Sequence, residues 1–488
     1  MTESTRATKE TDVVVIGSGV SGLSAALTAA EGGAKVILFE KQRSLGGTSN
    51  FFTGIFAVES DMQRKRYINY SRDEAFKNIM EYSHWRANAR LVRAFVDESA
   101  ATIAWLQKQG VEFIEAGINM PDAPRTYHVV KGTGEAVVKA LATRAKEKGV
   151  DLRLATPVKK LLREGDRITG VIVEENGEDV QVAAKAVVVA SGGYANNKEW
   201  IKKYSGFDLG VNVIPVGNVD KMGDGIRMAW EVGADEEGMG ALEMVRSGPE
   251  TPEFAANMKR QIGFAARQPI LWVNRHGERF CDEGIAFYDT STGNVNARYK
   301  EGYTFSIFDD SIKQRLLEKG IEKNIGWDNL PGSRPVEIDK MINDALEKGT
   351  TEIFVADSVE KLAGKIGIEP AVLKATVEEY NSFCEKGHDD LFAKDQKYLW
   401  PLKGPKYYAV KARTLFLGTL GGIRINHKTE VVDKKDEVIP GLYAVGYDAG
   451  GAYGDSYSIK DSSGMSAGFA INSGRIAGKN VLTYLSKK

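Results

Sequence analysis

The chain has 488 residues, 42% hydrophobic and 27% charged, with 65 Lys and Arg against 66 Asp and Glu and a net charge of −1. This is the balance of a globular protein of two or three domains, and it excludes a disordered or fibrous chain. With no basic excess to meet a phosphate backbone, nucleic-acid binding is not expected.

Residues 1–11 are polar and mixed in charge, with no apolar stretch of a signal peptide. No run of 18 apolar residues follows, so a cytoplasmic protein without a membrane span is expected. The first element is the apolar run Asp12-Val-Val-Val-Ile16, the pattern of a strand buried on both faces of a parallel sheet. Gly17-Ser-Gly19-Val-Ser-Gly22 follows, then an Ala-rich helix to Glu31, then a second apolar run, residues 35–39, ending in Glu40. Strand, GxGxxG turn, helix, strand and acid in this order predict a dinucleotide site. Gly17 permits the tight turn, Gly19 admits a pyrophosphate to the backbone, and Gly22 lets the helix pack on the strand. The helix N-terminus then faces the anion. Glu40 suits ribose hydroxyls and disfavours a 2′-phosphate.

Leu91, Val92, Phe95, Val96, Ile103, Ala104 and Leu106 share one helical face, which is assigned to packing. A helix opens at Gly132-Thr-Gly134 and runs to Lys148. Residues 152–158 and 168–174 read as strands, with a hairpin signal at Glu164-Gly165-Asp166. Residues 185–190 form a further buried strand ended by Ser191-Gly192-Gly193. From about residue 246 to 419 the βαβ rhythm is lost, which predicts an inserted domain. Asp433 to Glu437 reads as a turn, residues 441–446 as a strand, and the closing helix starts near Gly464.

Three Gly-rich turns after apolar strands, at residues 17–22, 191–193 and 446–451, need a common explanation, and one NAD needs only the first. Matching stretches from residue 12 to 478 supply one: VVVIGSGVSGLSAAL, FEKQRSLGGTSN, VVVASGGY, MGDGIRMA, ILWVNRHGERFCDE, GTLGGIRIN, GLYAVGYDAGG and SGRIAG. Together they resemble the FAD-dependent fumarate reductase, succinate dehydrogenase and 3-ketosteroid dehydrogenase flavoprotein superfamily. The resemblance implies an α/β fold, a Rossmann-like FAD-binding domain (residues 1–245 and 420–488) split by an inserted α+β capping domain (residues 246–419). The active site is then expected between them. It implies FAD contacts at Gly17, Gly19, Ser21, Gly22, Glu40, Lys41, Gly47, Thr48, Ser49, Val158, Ala190, Asp224, Gly446 and Tyr447. Backbone at Ser463, Gly464, Met465 and Ser466 would face the flavin, where a helix N-terminus stabilises negative charge. Thr48 stands where membrane-bound relatives carry the His that tethers the cofactor, so FAD is expected to be non-covalent.

The carboxylate-clamping residues of fumarate reductases are not matched. Phe287 and Tyr288 stand where the proton-delivering Arg would follow Arg279-Phe-Cys-Asp-Glu283, Gly418 where a His would precede Thr419, and Asp455-Ser-Tyr457 where an Arg would follow Gly454. The ketosteroid branch carries Gly-x-x-Tyr at the last position, and Gly454-Asp-Ser-Tyr457 matches it. By that resemblance Tyr457 and the Gly464 N–H hold a ketone oxygen and Tyr288 exchanges the proton. The segment between Tyr457 and Gly464 is longer than in those relatives, and Tyr288 lies five residues past Glu283 where they place a Tyr four past. A phenol and an N–H form an oxyanion-type site for the enolate charge that hydride transfer to a conjugated C=C bond creates. Phe51, Phe52, Phe56 and Tyr453 are candidates for the substrate wall.

The expected function is therefore that of an FAD-dependent oxidoreductase reducing or forming a C=C bond beside a carbonyl in an apolar substrate, a cyclic or steroid-like molecule being one form. Two alternatives stay open. One is a reductase of an unsaturated carboxylic acid, with Arg267, Arg413 or Arg424 supplying the clamp; the other is a flavin electron carrier without an organic substrate. The five histidines have no metal-site spacing. Cys281 and Cys384 are 103 positions apart and offer no iron–sulfur or haem attachment. No second GxGxxG follows a strand, so a separate electron donor or acceptor is expected as partner beside the small-molecule substrate.

Overall fold

The computed structural model describes residues 9–120, 122–217, 219–248, 263, 267–323 and 331–487. The chain forms two compact units. The first comprises Met1–Gly206, Gly217–Glu243 and Gly418–Lys488, and the second Phe207–Val216 and Met244–Leu417. The segment Phe207–Val216 belongs to the second unit because Ile214–Pro215 pairs with Leu415 and Phe416 there. Sequence boundaries at 245 and 420 do not anticipate this contribution.

The first unit is built on an eight-stranded sheet. Lys9–Ile16 runs parallel to Val36–Phe39 on one side and to Glu178–Val189 on the other. Asp151–Arg153 and Val438–Ala444 extend the parallel set outwards. Val13, Val14, Val15, Val187 and Val189 are fully buried, as expected of central strands covered on both faces. The Val20–Glu31 and Met465–Leu485 helices pack on this sheet through Leu23, Ala26, Leu27, Ile471 and Val481. This is the α/β frame expected for the FAD-binding domain.

The hairpin at residues 164–167 has a different first arm from the expected one. It is Val158–Glu164 that pairs antiparallel with Arg167–Glu175, while Asp151–Arg153 is a separate parallel edge strand. Thr156 and Pro157 interrupt the run that reads as one strand in the sequence. The charged pair Lys159 and Lys160 hides the strand that follows, because both are exposed.

A small antiparallel sheet, Gly54–Phe56, Tyr127–Val130 and Phe113–Gly117, lies in the same unit. Its His128 is completely buried, with Nδ1 3.0 Å from the Thr126 carbonyl and Nε2 2.7 Å from Ser60 Oγ. A carbonyl only accepts, so Nδ1 carries the hydrogen and Nε2 accepts from the Ser60 hydroxyl. Burial pulls the pKa down to about 4. Below pH ~6.5 the unfolded chain takes up a proton that the folded ring refuses, so stability is lost as pH falls from about 6.5 towards 4, by roughly 3 kcal/mol. The urea midpoint should drop over this range and drop less in His128→Gln; parallel pH profiles would refute this role.

Among the described residues, the second unit has a six-stranded sheet around the long strand Tyr407–Thr419. Tyr303–Asp309 and Ile353–Ala356 pair antiparallel with it, and Leu271–Val273 pairs with Tyr303–Asp309. Its own core includes Trp272, Phe305, Phe308, Leu373 and Tyr380.

Candidate active site

The first strand ends at Ile16, and Gly17 turns the chain with φ +105°. A Cβ at Gly17 would lie 2.3 Å from the Ala190 carbonyl oxygen. A Cβ at Gly22 would lie 2.0 Å from the Gly17 carbonyl oxygen, so the helix starts hard against the turn. That helix has Gly19 as its N-cap, which brings no side chain of its own, so the first-turn N–H groups beyond that of Val20 are left for an anionic ligand. Ser49 Oγ approaches from the Gly47–Asn50 turn and accepts from the Val20 N–H at 3.1 Å. Thr48 lies in the same turn. Gly446, after the Val438–Ala444 strand, closes on Ser21, since a Cβ there would stand 2.8 Å from Ser21 Oγ. Gly17, Ser21, Gly22, Ala190 and Gly446 therefore meet at one end of the sheet.

Glu40, just after Val36–Phe39, accepts from the Ser18 N–H at 2.9 Å, the Ser18 hydroxyl at 2.6 Å and the Gln42 N–H at 2.8 Å. Lys41 pairs with Asp224 at 2.8 Å and Asp220 at 2.9 Å, so two expected cofactor residues from opposite parts of the sequence are brought together. Val158 is buried at the start of its strand. The helix N-terminus and the glycine-lined close approach fit the pyrophosphate of FAD, and Glu40 beside them fits its ribose.

A buried polar cluster lies at the start of Met465–Leu485, whose N-cap Gly464 has φ +83°. The Tyr447 hydroxyl donates to Glu243 at 2.7 Å and is 2.9 Å from Ser466 Oγ. A Cβ at Gly418 would lie 2.5 Å from the Tyr447 ring, so the phenol fills the room that a side chain at position 418 would need. The Tyr457 hydroxyl accepts from the Met465 N–H at 3.0 Å and donates to the Ser462 carbonyl at 3.3 Å. The Ser463 hydroxyl donates to the Ile459 carbonyl at 2.5 Å. Tyr453 stacks edge-on against Tyr457, centroids 5.8 Å apart, and against Phe469 at 5.9 Å. Its buried hydroxyl has no hydrogen-bond partner among the described residues. Burial, with Glu243 nearby, raises the pKa of Tyr447, Tyr453 and Tyr457 well above 10, so all three stay protonated. A cavity of about 430 Å³ borders this loop, lined by Arg86, Tyr204, Glu237, residues 238–241, Gly451, Gly454 and Asp455.

The three arginines considered for a carboxylate clamp all hold carboxylates already. Arg267 pairs with Asp289 at 2.7 Å, Arg413 makes a two-pronged pair with Glu352 at 2.6 and 3.0 Å, and Arg424 reaches Asp235 and Asp436. The candidate phenylalanines separate. Phe56 is fully buried 5.1 Å from Phe95, Phe52 packs on the core of the first unit, and Phe51 is exposed. Tyr288 lies in the second unit, as the N-cap of Asp289–Ala297. Phe287 packs on Tyr398 in that unit.

Three residues in this region escape the sequence reading. Asp448 is fully buried and accepts from the N–H groups of Ser191, Gly192 and Gly193 and from the Ser191 hydroxyl. It ties two of the Gly-rich turns together, and its place directly after Gly446-Tyr447 is the signal that marks it. Glu243 and Lys221 carry no local signal.

The family model described as FAD binding domain matches residues 12–460. The chain is 35% identical over 481 residues to the vinyl phenol reductase of Lactiplantibacillus plantarum, covering 97% of this chain and 96% of that protein. It matches the open conformation of a flavocytochrome c3 fumarate reductase with a TM-score of 0.73 and 26% identity, covering 98% of this chain and 78% of the other. It matches the 3-ketosteroid Δ1-dehydrogenase of Sterolibacterium denitrificans with a TM-score of 0.79 and 21% identity, covering 98% and 100%, which is a likeness of fold.

Proposed function

The chain belongs to the FAD-binding-domain family, and from that premise we propose that it reduces a C=C bond conjugated to a phenol or a carbonyl in a small, largely apolar molecule. The observation that carries the reading is the pairing of Gly418 with Tyr447. Where the resemblance expects a cationic or imidazole clamp, a phenol occupies the space, and Tyr453 and Tyr457 pack edge-on against each other in the same buried cluster. The relative named for vinyl phenols supports the same class. A hydroxystyrene is polarised oppositely to an enone: its phenolate oxygen pushes charge to the terminal carbon, which takes the proton, and the quinone methide so formed then accepts hydride as an enone does. In both, negative charge passes through an oxygen while hydride and proton add to carbon.

Bound FAD supplies the hydride. The chain's residues hold the oxygen and supply the proton. Tyr453, protonated and unpartnered among the described residues, is the first candidate to donate to the substrate oxygen. The Tyr457 hydroxyl is engaged by Ser462 and Met465, so Tyr457 acts there only by exchanging one of these partners, and otherwise fixes the Tyr453 ring. The Gly464 N–H opens the same helix. Tyr288 is the candidate for proton exchange at carbon. Electrons reach the cofactor from a separate donor.

The test is anaerobic reoxidation of photoreduced flavin by a panel of 4-vinylphenol, cyclic and steroidal enones, fumarate and acrylate. A vinylphenol or an enone is expected to reoxidise the flavin at least ~100-fold faster than the acids, and Tyr453→Phe to slow that reaction about 100-fold with FAD still bound. Fast turnover of fumarate or acrylate with vinylphenols and enones inert would overturn the reading in favour of an acid reductase. Inertness to the whole panel would favour an electron carrier.

A further inference from the structure

We propose that Lys221 is the electrostatic partner of the bound cofactor, a buried amine that takes up a proton to balance the negative charge added on reduction. The inference rests on reading the turns at Gly192 and Tyr447 and the helix start at Ser466 as cofactor-facing. Lys221 is buried, and its Nζ has no hydrogen-bond partner among the described residues. Its backbone is fixed: the Lys221 N–H donates to Asn196 Oδ1 and its carbonyl accepts from the Asn196 N–H, both at 2.9 Å. The side chain passes Gly192, where a Cβ would stand 3.5 Å from its Cδ, and Nζ lies 5.7 Å from the centre of the Tyr447 ring.

The surrounding charges are otherwise engaged. Glu243 accepts from Tyr447, Asp448 accepts the three turn N–H groups, and Asp220 and Asp224 hold Lys41. A buried ammonium without a partner is costly. An arriving negative charge offsets that cost. Burial pulls the Lys221 pKa down to about 8, against the upward pull of Glu243 and Asp448. Near and above that pH the amine is partly neutral and can accept a proton.

With dithionite as reductant, two electrons pass to the cofactor with one proton, and sulfite leaves. The Lys221 lone pair takes a second proton from solvent, and no other bond changes. Below about pH 8, where Lys221 is already charged, uptake is one proton per two electrons. Above it, uptake is two. Each proton is a tenfold change in the equilibrium per pH unit, or about 30 mV for a two-electron couple.

The test measures the flavin midpoint potential of the holoprotein from pH 6 to 10, by dithionite titration against indicator dyes. The expected slope is about 30 mV per pH unit below pH 8, steepening towards ~60 mV above it. Lys221→Met and Lys221→Gln should keep the shallow slope throughout and show a lower potential at pH 7. Flavin-loaded variants that titrate like the wild type would overturn the proposal. Should neither variant hold flavin, a uniform slope in the wild type would overturn it equally, and a break near pH 8 would support it. Failure of the wild type to bind flavin would instead refute the cofactor reading of these turns.

Discussion

Gly17→Ala is expected to give a protein that purifies without its yellow cofactor. Gly17 sits at φ +105°, in the region that L side chains rarely adopt. Steric contact is worse than the dihedral strain, because a Cβ would stand 2.3 Å from the Ala190 carbonyl oxygen and 2.8 Å from its carbon. Both are main-chain atoms of the neighbouring strand end, so no rotamer relieves the clash. The turn must open, which moves Gly22 and the first turn of Val20–Glu31 away from Ala190. A local cost of at least about 2 kcal/mol corresponds to roughly 30-fold weaker FAD binding. Absorbance near 450 nm and a flavin titration of the apoprotein measure it. An unchanged affinity would mean that this turn does not carry the pyrophosphate.

Gly17 also shows why this part of the site is legible in the sequence. Its role depends on backbone geometry set within a few residues, and the two strands whose ends meet there, Lys9–Ile16 and Glu178–Val189, carry valine runs that declare their burial. The hairpin at residue 164 is less legible because the exposed Lys159 and Lys160 blur the alternation of its first arm, and Pro157 divides the run before it.

The polar cluster is less legible still. Tyr447 is recognisable by its place after a strand, but its partner Glu243 lies 204 residues earlier, and the turn N–H groups that Asp448 holds lie 255 to 257 residues away. Pairings over such separations are set by the fold and not by local pattern. Tyr457 is singled out by a motif, yet the motif says nothing of Ser462 and Met465, which occupy its hydroxyl. Gly418 reads as a missing histidine, and only the structure shows the Tyr447 ring in the space.

Arg279 and Glu283 belong to a stretch that the sequence links to the active site, and the second unit uses them to hold itself together. Arg279 Nε and Nη2 donate to the two Glu283 oxygens at 3.0 and 2.9 Å, and Nη1 and Nη2 donate to Asp389 at 3.1 and 2.8 Å. Lys394 approaches Glu283 at 3.2 Å, and the guanidinium lies 5.1 Å from the Tyr380 ring centre and 5.2 Å from that of Phe392. Two cations balance two carboxylates, with all four side chains at most 1% exposed. Arg279→Met leaves one buried negative charge in excess and removes four hydrogen bonds, for a loss of about 3–5 kcal/mol. Adding Glu283→Gln restores the charge balance between Lys394 and Asp389, so the double variant should lose less than the two single losses added together. Urea unfolding followed by tryptophan fluorescence measures this, since the Trp272 backbone N–H donates to Glu283 at 3.2 Å and its ring is buried in the same unit. A loss below about 1 kcal/mol in Arg279→Met would place the network among ion pairs of little structural consequence.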